Sequence, residues 1–203
     1  MPSAFLYDAV MKPLGWFGLG RARRRLVAGL SGRLLELGAG TGLLSEHYDA
    51  AARPVGVDVD LAGLRRARSR SAAGSLVCAD AQALPFRAGS FDAVVESLVL
   101  CSVPDVGQTL REARRVLRVG GELRLLDHVR PPGRVLGRLA DRLTPLWSRV
   151  SGGCRLDRAP ASELAAAGFA IVWRRRSLRG VGDELRARGQ DETRPQAPGG
   201  EQR

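Results

Sequence analysis

A strand followed by a glycine-rich turn, early in the chain, constrains the fold more than any other feature. The run Arg33–Leu37 is short and largely apolar but contains Glu36, which is typical of a central strand in a parallel sheet. Three glycines follow at alternate positions: Gly38, Gly40 and Gly42. Glycine has no Cβ, so the backbone can turn sharply there and approach a ligand closely. We expect a helix to begin within Leu43–Tyr48, with its N-terminus facing that ligand.

The glycine spacing and the acid before it indicate the charge of the ligand. Dinucleotide sites space their glycines as G-x-G-x-x-G, whereas this turn reads G-x-G-x-G with Glu36 two residues ahead. A carboxylate would repel a pyrophosphate in a low-dielectric site but would attract a cation. S-adenosylmethionine carries a sulfonium and an α-ammonium group, and E-x-G-x-G-x-G resembles the first motif of class I S-adenosylmethionine-dependent methyltransferases. A turn that only joins a strand to a helix is the simpler alternative.

Strand ends beyond the turn supply further candidate contacts to this cofactor. The predicted set is Glu36, Gly38, Ala39, Gly40, Gly42, Asp58, Val59, Asp80, Ala81 and Ser97. Asp58 ends the second strand, where an acid accepts hydrogen bonds from ribose hydroxyls, and Asp60 is the nearby alternative. Asp80 can accept from an adenine amino group while Ala81 offers a backbone N–H, although Asp80 could instead cap a helix. Ser97 lies at the carboxyl end of the fourth strand, where ligands of such sheets bind.

Alternating strand and helix patterns predict a doubly wound, mostly parallel sheet. After residue 131 the pattern changes to an amphipathic helix pair around Pro145, a helix over Ala161–Ala167 and a strand over Phe169–Trp173. Periodicity ends at Arg179, so the last strand of such a sheet is expected to be absent or atypical. We therefore predict one domain over residues 1–178, with a helical cap (1–30), a cofactor-binding core (34–128), acceptor-side helices with a final strand (131–173), and a disordered tail (179–203).

Composition excludes several classes of protein. The 203 residues can bury a sizeable core, and they contain no run of about 18 apolar residues that would predict a membrane span. The first 17 residues lack the charged start and long apolar core of a signal peptide. Three cysteines, Cys78, Cys101 and Cys154, are widely spaced and suggest neither a metal motif nor a disulfide framework. A reduced, cytoplasmic protein without a metal is the expectation.

The net charge of +11 would suit nucleic acid or an anionic membrane. Lys12 is the only lysine, and the excess of arginine, alanine and glycine favours codon bias in a GC-rich genome as its origin. Aromatic residues that could stack on bases are scarce, so we expect no nucleic-acid partner. The arginines of a basic helix over Gly20–Leu30 are either solvated or in peripheral contact with an anionic membrane. The sequence gives no indication of oligomeric state.

Five ordered motifs between about Leu34 and Leu126 resemble a class I methyltransferase of the ubiquinone-biosynthesis type. They are Glu36-x-Gly38-x-Gly40-x-Gly42, Asp58, Asp80-Ala81-x-x-Leu84-Pro85-Phe86, Phe91-Asp92-Ala93-Val94-Val95 and Arg115-Val116-Leu117-Arg118-x-Gly120-Gly121. Further segments are similar to the methyltransferase-like thiol S-methyltransferases: Leu98–Val103, Asp127-His128-Val129, Trp147, and Gly153-Cys154-x-Leu156-x-Arg158. Asp127 stands where that group usually has Glu, and the hydrophobic membrane anchor of its animal members has no counterpart in this sequence.

This resemblance implies an S-adenosylmethionine-dependent methyltransferase that acts on a small lipophilic acceptor, with a thiol as one candidate. A quinone or phospholipid methyltransferase, or a cofactor-binding protein without transfer activity, are the alternatives. Methyl transfer by direct displacement needs alignment rather than a metal, and a thiol with a pKa near 8.5 is partly ionised without a base. His128, at the end of the fifth strand, is the candidate base, or else a structural histidine. Nothing in the sequence places a base beside Cys101 or Cys154, so we expect Cys101 to be a packing residue and Cys154 a loop residue, neither of them catalytic.

Overall fold

The computed structural model describes residues 18–70, 74–131, 133–150, 153–177 and 182–190. The predicted helix before residue 18 and the tail after residue 190 lie outside them. The helices and strands of the described parts, in chain order, are α1 (Gly20–Val27), β1 (Gly32–Leu37), β2 (Ala52–Asp58), α2 (Leu61–Arg70), β3 (Ser75–Cys78), β4 (Phe91–Ser97), α3 (Val106–Val116), β5 (Leu117–His128), α4 (Arg134–Val150), α5 (Pro160–Ala166), β6 (Phe169–Ser177) and β7 (Gly182–Gly189).

The strands form one sheet in the order β3-β2-β1-β4-β5-β7-β6. The first five strands are parallel, whereas β7 runs antiparallel to both β5 and β6. Apolar side chains pack on both faces: Leu35 and Leu37 of β1 face one core, and Leu34 faces the other. The predicted doubly wound, mostly parallel sheet is confirmed. Its parallel strands all end at one edge, and Asp58 and Ser97 lie there, where ligands of such sheets bind.

The last strand is present, contrary to the expectation from the sequence. β7 lies between β5 and β6, and Leu185 is buried in the core. The strand resembles a tail in sequence because half of its eight residues are charged, two acids followed by two arginines. Both acids are buried and paired with arginines from other elements: Glu184 with Arg25 at 2.5 Å and Asp183 with Arg174 at 2.7 Å. The predicted tail boundary at residue 179 is therefore wrong.

The glycine turn is followed by a single 3-10 turn, Ser45–His47, rather than the expected helix. The Ser45 hydroxyl and backbone N–H both donate to the Gly42 carbonyl, at 2.6 and 3.3 Å, which closes the turn tightly. Tyr48 is already extended, with φ −72° and ψ 139°. Since β2 begins at Ala52, the segment is too short for a second helical turn.

Two further differences concern helices. α4 is one helix that continues through Pro145, where the sequence predicted a pair. In α1, Arg23 is buried and Arg25 is paired with Glu184, so half of the helix's four arginines are not the solvated residues that were expected. In the parts of the chain that are described, no helix is both long and apolar enough to cross a membrane.

Candidate functional site

The glycine turn is held between the loop after β4 and helix α2. Gly38 has φ 64°, and a Cβ there would collide with a methyl group of Val99. Gly42 has φ 79°, and its Cβ would lie 3.1 Å from Ala67 of α2. Both positions therefore require glycine, for the left-handed backbone and for the close approach. The packing brings the turn to the carboxyl edge of the sheet, where we predicted a cofactor.

Asp58 fastens the end of β2 to the glycine turn. One carboxylate oxygen accepts from the backbone N–H of Gly40 at 2.8 Å, and the other accepts from that of Asp60 at 2.8 Å. Asp60 instead accepts from the backbone N–H of Ala62 at 3.0 Å, within the first turn of α2. β2 thus ends at Asp58 as predicted, and its carboxylate oxygens keep lone pairs that can accept from ribose hydroxyls. Val59 follows it with its side chain exposed.

The end of β3 presents Asp80 in a local turn. Its carboxylate accepts from the backbone N–H of Gln82 at 2.8 Å and from the side-chain amide of the same residue at 3.0 Å. Among the described residues no helix begins here, so the predicted alternative of a helix cap is not what the structure contains. Ala81 is buried against the core. A contact from Asp80 to an adenine amino group stays a prediction.

Glu36 is a buried carboxyl group that interacts with Tyr48 and Arg23. It is 6% exposed, and its Oε2 accepts from the Tyr48 hydroxyl at 3.2 Å. Burial raises the pKa of Glu36 to about 7, although the Tyr48 hydrogen bond and the charge of Arg23 act in the opposite direction. Arg23 in turn donates to the Ser97 hydroxyl at 3.4 Å. A cationic ligand near this carboxyl group would favour its ionised form.

The loop after β4 turns inward beside two buried carboxyl groups. Leu98 has φ 64°, a conformation that costs a non-glycine residue about 1–3 kcal/mol and is common at functional sites. Glu96 accepts from the backbone N–H of Val99 at 3.0 Å. Burial raises the pKa of Glu96 well above its usual range, and the neighbouring Asp127 raises it further. Backbone strain at Leu98 and the unfavourable burial of the Glu96 and Asp127 carboxyl groups thus occur together at the ends of β4 and β5.

Three side chains that are far apart in sequence meet at this edge: Cys101, His128 and Cys154. The Cys154 Sγ lies 3.5 Å from the His128 Nδ1, and all three ligand-type atoms lie within 4.8 Å of one another. Asp127 accepts from the backbone N–H groups of Cys101 and His128, both at 2.8 Å. The backbone N–H of Arg155 donates to the Cys101 carbonyl at 2.9 Å. These bonds fix the backbones that carry the cluster.

The cluster polarises its two thiols in opposite directions. The pKa of Cys154 is lowered, first by a hydrogen bond with Cys101 and then by His128, against the effect of burial. The pKa of Cys101 is raised by the same bond and by burial. Burial lowers the pKa of His128, but Cys154 and Asp127 raise it more, so the net shift is upward. Cys154 and His128 together favour a thiolate–imidazolium pair.

This cluster is what sequence reasoning missed. The expectation that no base accompanies Cys154 is wrong, because the loop after α4 returns Cys154 to the end of β5, where His128 lies. The spacing of 26 residues between them carries no local signal. The segments Asp127-His128-Val129 and Gly153-Cys154, which carried the resemblance to thiol S-methyltransferases, were the only indication in the sequence.

Known proteins are similar to this chain over much of its length. A family described as "Methyltransferase domain" matches residues 35–125. Thiol S-methyltransferase TMT1B of Homo sapiens is 32% identical over 156 residues, covering 72% of this chain and 64% of the human protein. A demethylmenaquinone methyltransferase of Roseiflexus castenholzii is 36% identical over 164 residues, covering 72% of this chain and 67% of that protein. The match therefore spans less than two thirds of the human relative's length.

A solved structure shares the fold. A crystal structure of an S-adenosylmethionine-dependent methyltransferase from Mesorhizobium loti superposes with a TM-score of 0.65 at 23% identity. It covers 83% of this chain and 96% of the other. At that identity the likeness concerns the architecture alone.

Proposed function

This chain belongs to the class I S-adenosylmethionine-dependent methyltransferases, and from that premise we propose that it methylates a small lipophilic acceptor, preferably a thiol. The observation that carries the proposal is the Cys154–His128 contact of 3.5 Å at the carboxyl edge of the sheet. A pair of this kind can remove a proton from a weakly acidic nucleophile. The similarity to a protein named thiol S-methyltransferase supports the choice of a thiol.

The cofactor side of the proposal assigns roles to the predicted residues. The glycine turn would lie against the methionine part of S-adenosylmethionine, with the Glu36 carboxylate attracted to its positive charges. Asp58 would accept from the ribose hydroxyls through its remaining lone pairs, and Asp80 from the adenine amino group. Ser97, at the end of β4, would lie near the sulfonium.

The acceptor side of the proposal concerns one proton. In the form of the pair in which Cys154 holds the shared proton, the neutral His128 accepts the proton of the acceptor thiol, and the imidazolium that forms stabilises the new thiolate. The thiolate sulfur then forms a bond to the methyl carbon while the bond from that carbon to the sulfonium breaks. The products are a thioether and S-adenosylhomocysteine. Alignment of sulfur and methyl supplies most of the acceleration.

Substitution of His128 tests this role. We expect His128→Ala to lower kcat for a thiol by roughly 100-fold, within the range of lost acid–base catalysis, while cofactor affinity stays within about twofold. In the wild-type protein the rate should rise with pH toward the pKa of the acceptor thiol. The other histidine provides a control, since His47→Ala should change kcat little. Equal losses in both variants, or a loss of cofactor binding with His128→Ala, would remove His128 from the reaction.

A membrane-bound quinone or phospholipid is the second candidate acceptor, and helix α4 supports it. The helix buries its small residues Ala140 and Thr144 and exposes a large apolar face. The exposed residues of that face are Val135, Leu136, Leu139, Leu143, Leu146 and Trp147. This exposed apolar face therefore does not pack on the sheet. Four exposed arginines on the same helix, Arg134, Arg138, Arg142 and Arg149, suit an anionic lipid surface.

The exposed apolar face makes α4, rather than α1, the helix that we propose contacts a membrane. In α1, Arg23 is buried and Arg25 is bonded to Glu184 at 3.1 Å, so the basic face is partly engaged within the protein. The apolar face of α4 has no such engagement among the described residues. The similarity to a protein named demethylmenaquinone methyltransferase supports a quinone as the acceptor in this second candidate function.

A further inference from the structure

We propose that Cys101, His128 and Cys154 form a binding site for a thiophilic divalent cation, with Zn²⁺ as the expected ion. Two cysteine sulfurs and one imidazole nitrogen are the donor set that zinc prefers. Three protein ligands leave one position of a tetrahedron free, as in catalytic zinc sites and unlike closed structural ones. The proposal depends on these three residues alone and not on which acceptor is methylated.

The distances between the donor atoms fit tetrahedral coordination. With Zn–S bonds of about 2.3 Å and Zn–N bonds of about 2.0 Å, a tetrahedron places sulfur about 3.5 Å from nitrogen and the two sulfurs about 3.8 Å apart. The Cys154 Sγ and the His128 Nδ1 are 3.5 Å apart, and no pair in the cluster exceeds 4.8 Å. Small side-chain rotations would therefore complete the site.

Backbone contacts around the cluster hold the two cysteines close together. Gly153 has φ +101°, and a Cβ there would lie 3.2 Å from the Ser102 carbonyl, so the loop approaches this closely only because residue 153 is glycine. The next backbone N–H after Cys154 bonds to the Cys101 carbonyl. Asp127 holds the backbones of Cys101 and His128. Ligands fixed in this way lose little entropy when a metal binds.

The metal would compete with the role proposed for His128. A cation bound through Nδ1 uses the lone pair that His128 needs to accept a proton, so on metal binding the Cys154–His128 pair must release its shared proton and Cys101 its own. The loaded site and the thiolate–imidazolium pair are therefore alternative states of the same side chains.

Cobalt spectroscopy tests the site without any methyl acceptor. The purified, reduced protein, treated with a chelator and desalted, is titrated with Co²⁺ under anaerobic conditions, and the sulfur-to-cobalt charge-transfer absorption is recorded. Zn²⁺ is then added to displace the cobalt. Cys78 lies at the exposed end of β3, so Cys78→Ser is a matched control for loss of a thiol.

We expect one Co²⁺ per chain, a charge-transfer band, and its loss on addition of Zn²⁺. Cys154→Ser, Cys101→Ser and His128→Gln should each weaken Co²⁺ binding at least about tenfold, and Cys78→Ser should leave it unchanged. Thermal melting with S-adenosylhomocysteine identifies any variant that fails to fold. The Co²⁺ affinity of either of the other two ligand variants then tests the site. The absence of a charge-transfer band, or a band that survives Cys154→Ser, would overturn the proposal and leave the proposed methyl transfer untouched.

Discussion

Replacing Glu36 with glutamine should remove a pH-dependent cost to stability. Burial raises the pKa of Glu36 from 4.5 to about 7 in the folded protein. In the unfolded chain the carboxyl group ionises near its usual pKa of about 4.5. Between these two values the folded state holds a proton that the unfolded state has released, so the free energy of unfolding falls as pH rises through this window. Above about pH 7 both states are ionised and the effect is constant.

The size of the effect follows from the shift. About 2.5 pKa units at about 1.36 kcal/mol per unit correspond to roughly 3 kcal/mol of stability lost between about pH 4.5 and 7.5. Glu36→Gln keeps the shape of the side chain and cannot ionise. The difference in unfolding free energy between variant and wild type should therefore increase in favour of the variant by about 3 kcal/mol across this range.

Urea unfolding at half-unit intervals of pH, in the absence of cofactor, measures this difference. Glu46, an exposed residue of the neighbouring 3-10 turn, provides the matched control Glu46→Gln. The control should follow the wild type in parallel at every pH. A Glu36→Gln curve parallel to wild type would mean that burial does not raise the pKa of Glu36 in the folded protein, and a difference that grows toward low pH would reverse the sign of the argument.

Two further predictions concern the cofactor and the membrane. Asp58→Ala should weaken S-adenosylmethionine binding by about 1–3 kcal/mol in calorimetry, whereas Asp60→Ala should instead cost about 1 kcal/mol of stability through loss of the bond to the first turn of α2. Equal affinities in the two variants would contradict the placement of Asp58 at the ribose. The double substitution Leu139→Glu and Leu146→Glu should abolish co-flotation with anionic vesicles without changing cofactor affinity, because both residues are exposed on α4. Flotation that persists would exclude this face.

The sequence predicted those parts of the fold that have local patterns. The glycine turn, the end of β2 at Asp58 and the alternation of strands and helices are all set by neighbours in sequence, and the structure has each of them. The strand β7 was not predictable in this way. Its apolar pattern is only Leu185 and Ala187, and its acids are acceptable in the interior because Arg25 and Arg174 reach them from other elements.

The candidate site likewise contains residues that a local pattern predicts and residues that only tertiary contacts place. The candidate cofactor residues follow strand ends, so their position at the carboxyl edge of the sheet could be predicted from the sequence, while their contacts to a cofactor stay a prediction. The Cys154–His128 pair depends on the loop after α4 reaching the end of β5, which is a tertiary contact without a local pattern. Arg23 was assigned to a solvated face because basic residues dominate α1, yet it is buried beside Ser97 and Glu36. Long-range ion pairs and loop packing determine where these side chains lie, and the spacing of residues along the sequence predicts neither.

Competition between acceptors tests the central proposal most directly. The purified protein is incubated with S-adenosylmethionine and equal concentrations of a lipophilic thiol, a phenol, a reduced quinone and a phosphatidylethanolamine vesicle, and the products are quantified by mass spectrometry against S-adenosylhomocysteine. We predict that the thioether accounts for most of the S-adenosylhomocysteine formed. Methylation of the quinol or the phospholipid with the thiol unchanged would contradict the choice of acceptor, and a protein that binds the cofactor but forms no product with any of them would contradict methyl transfer itself.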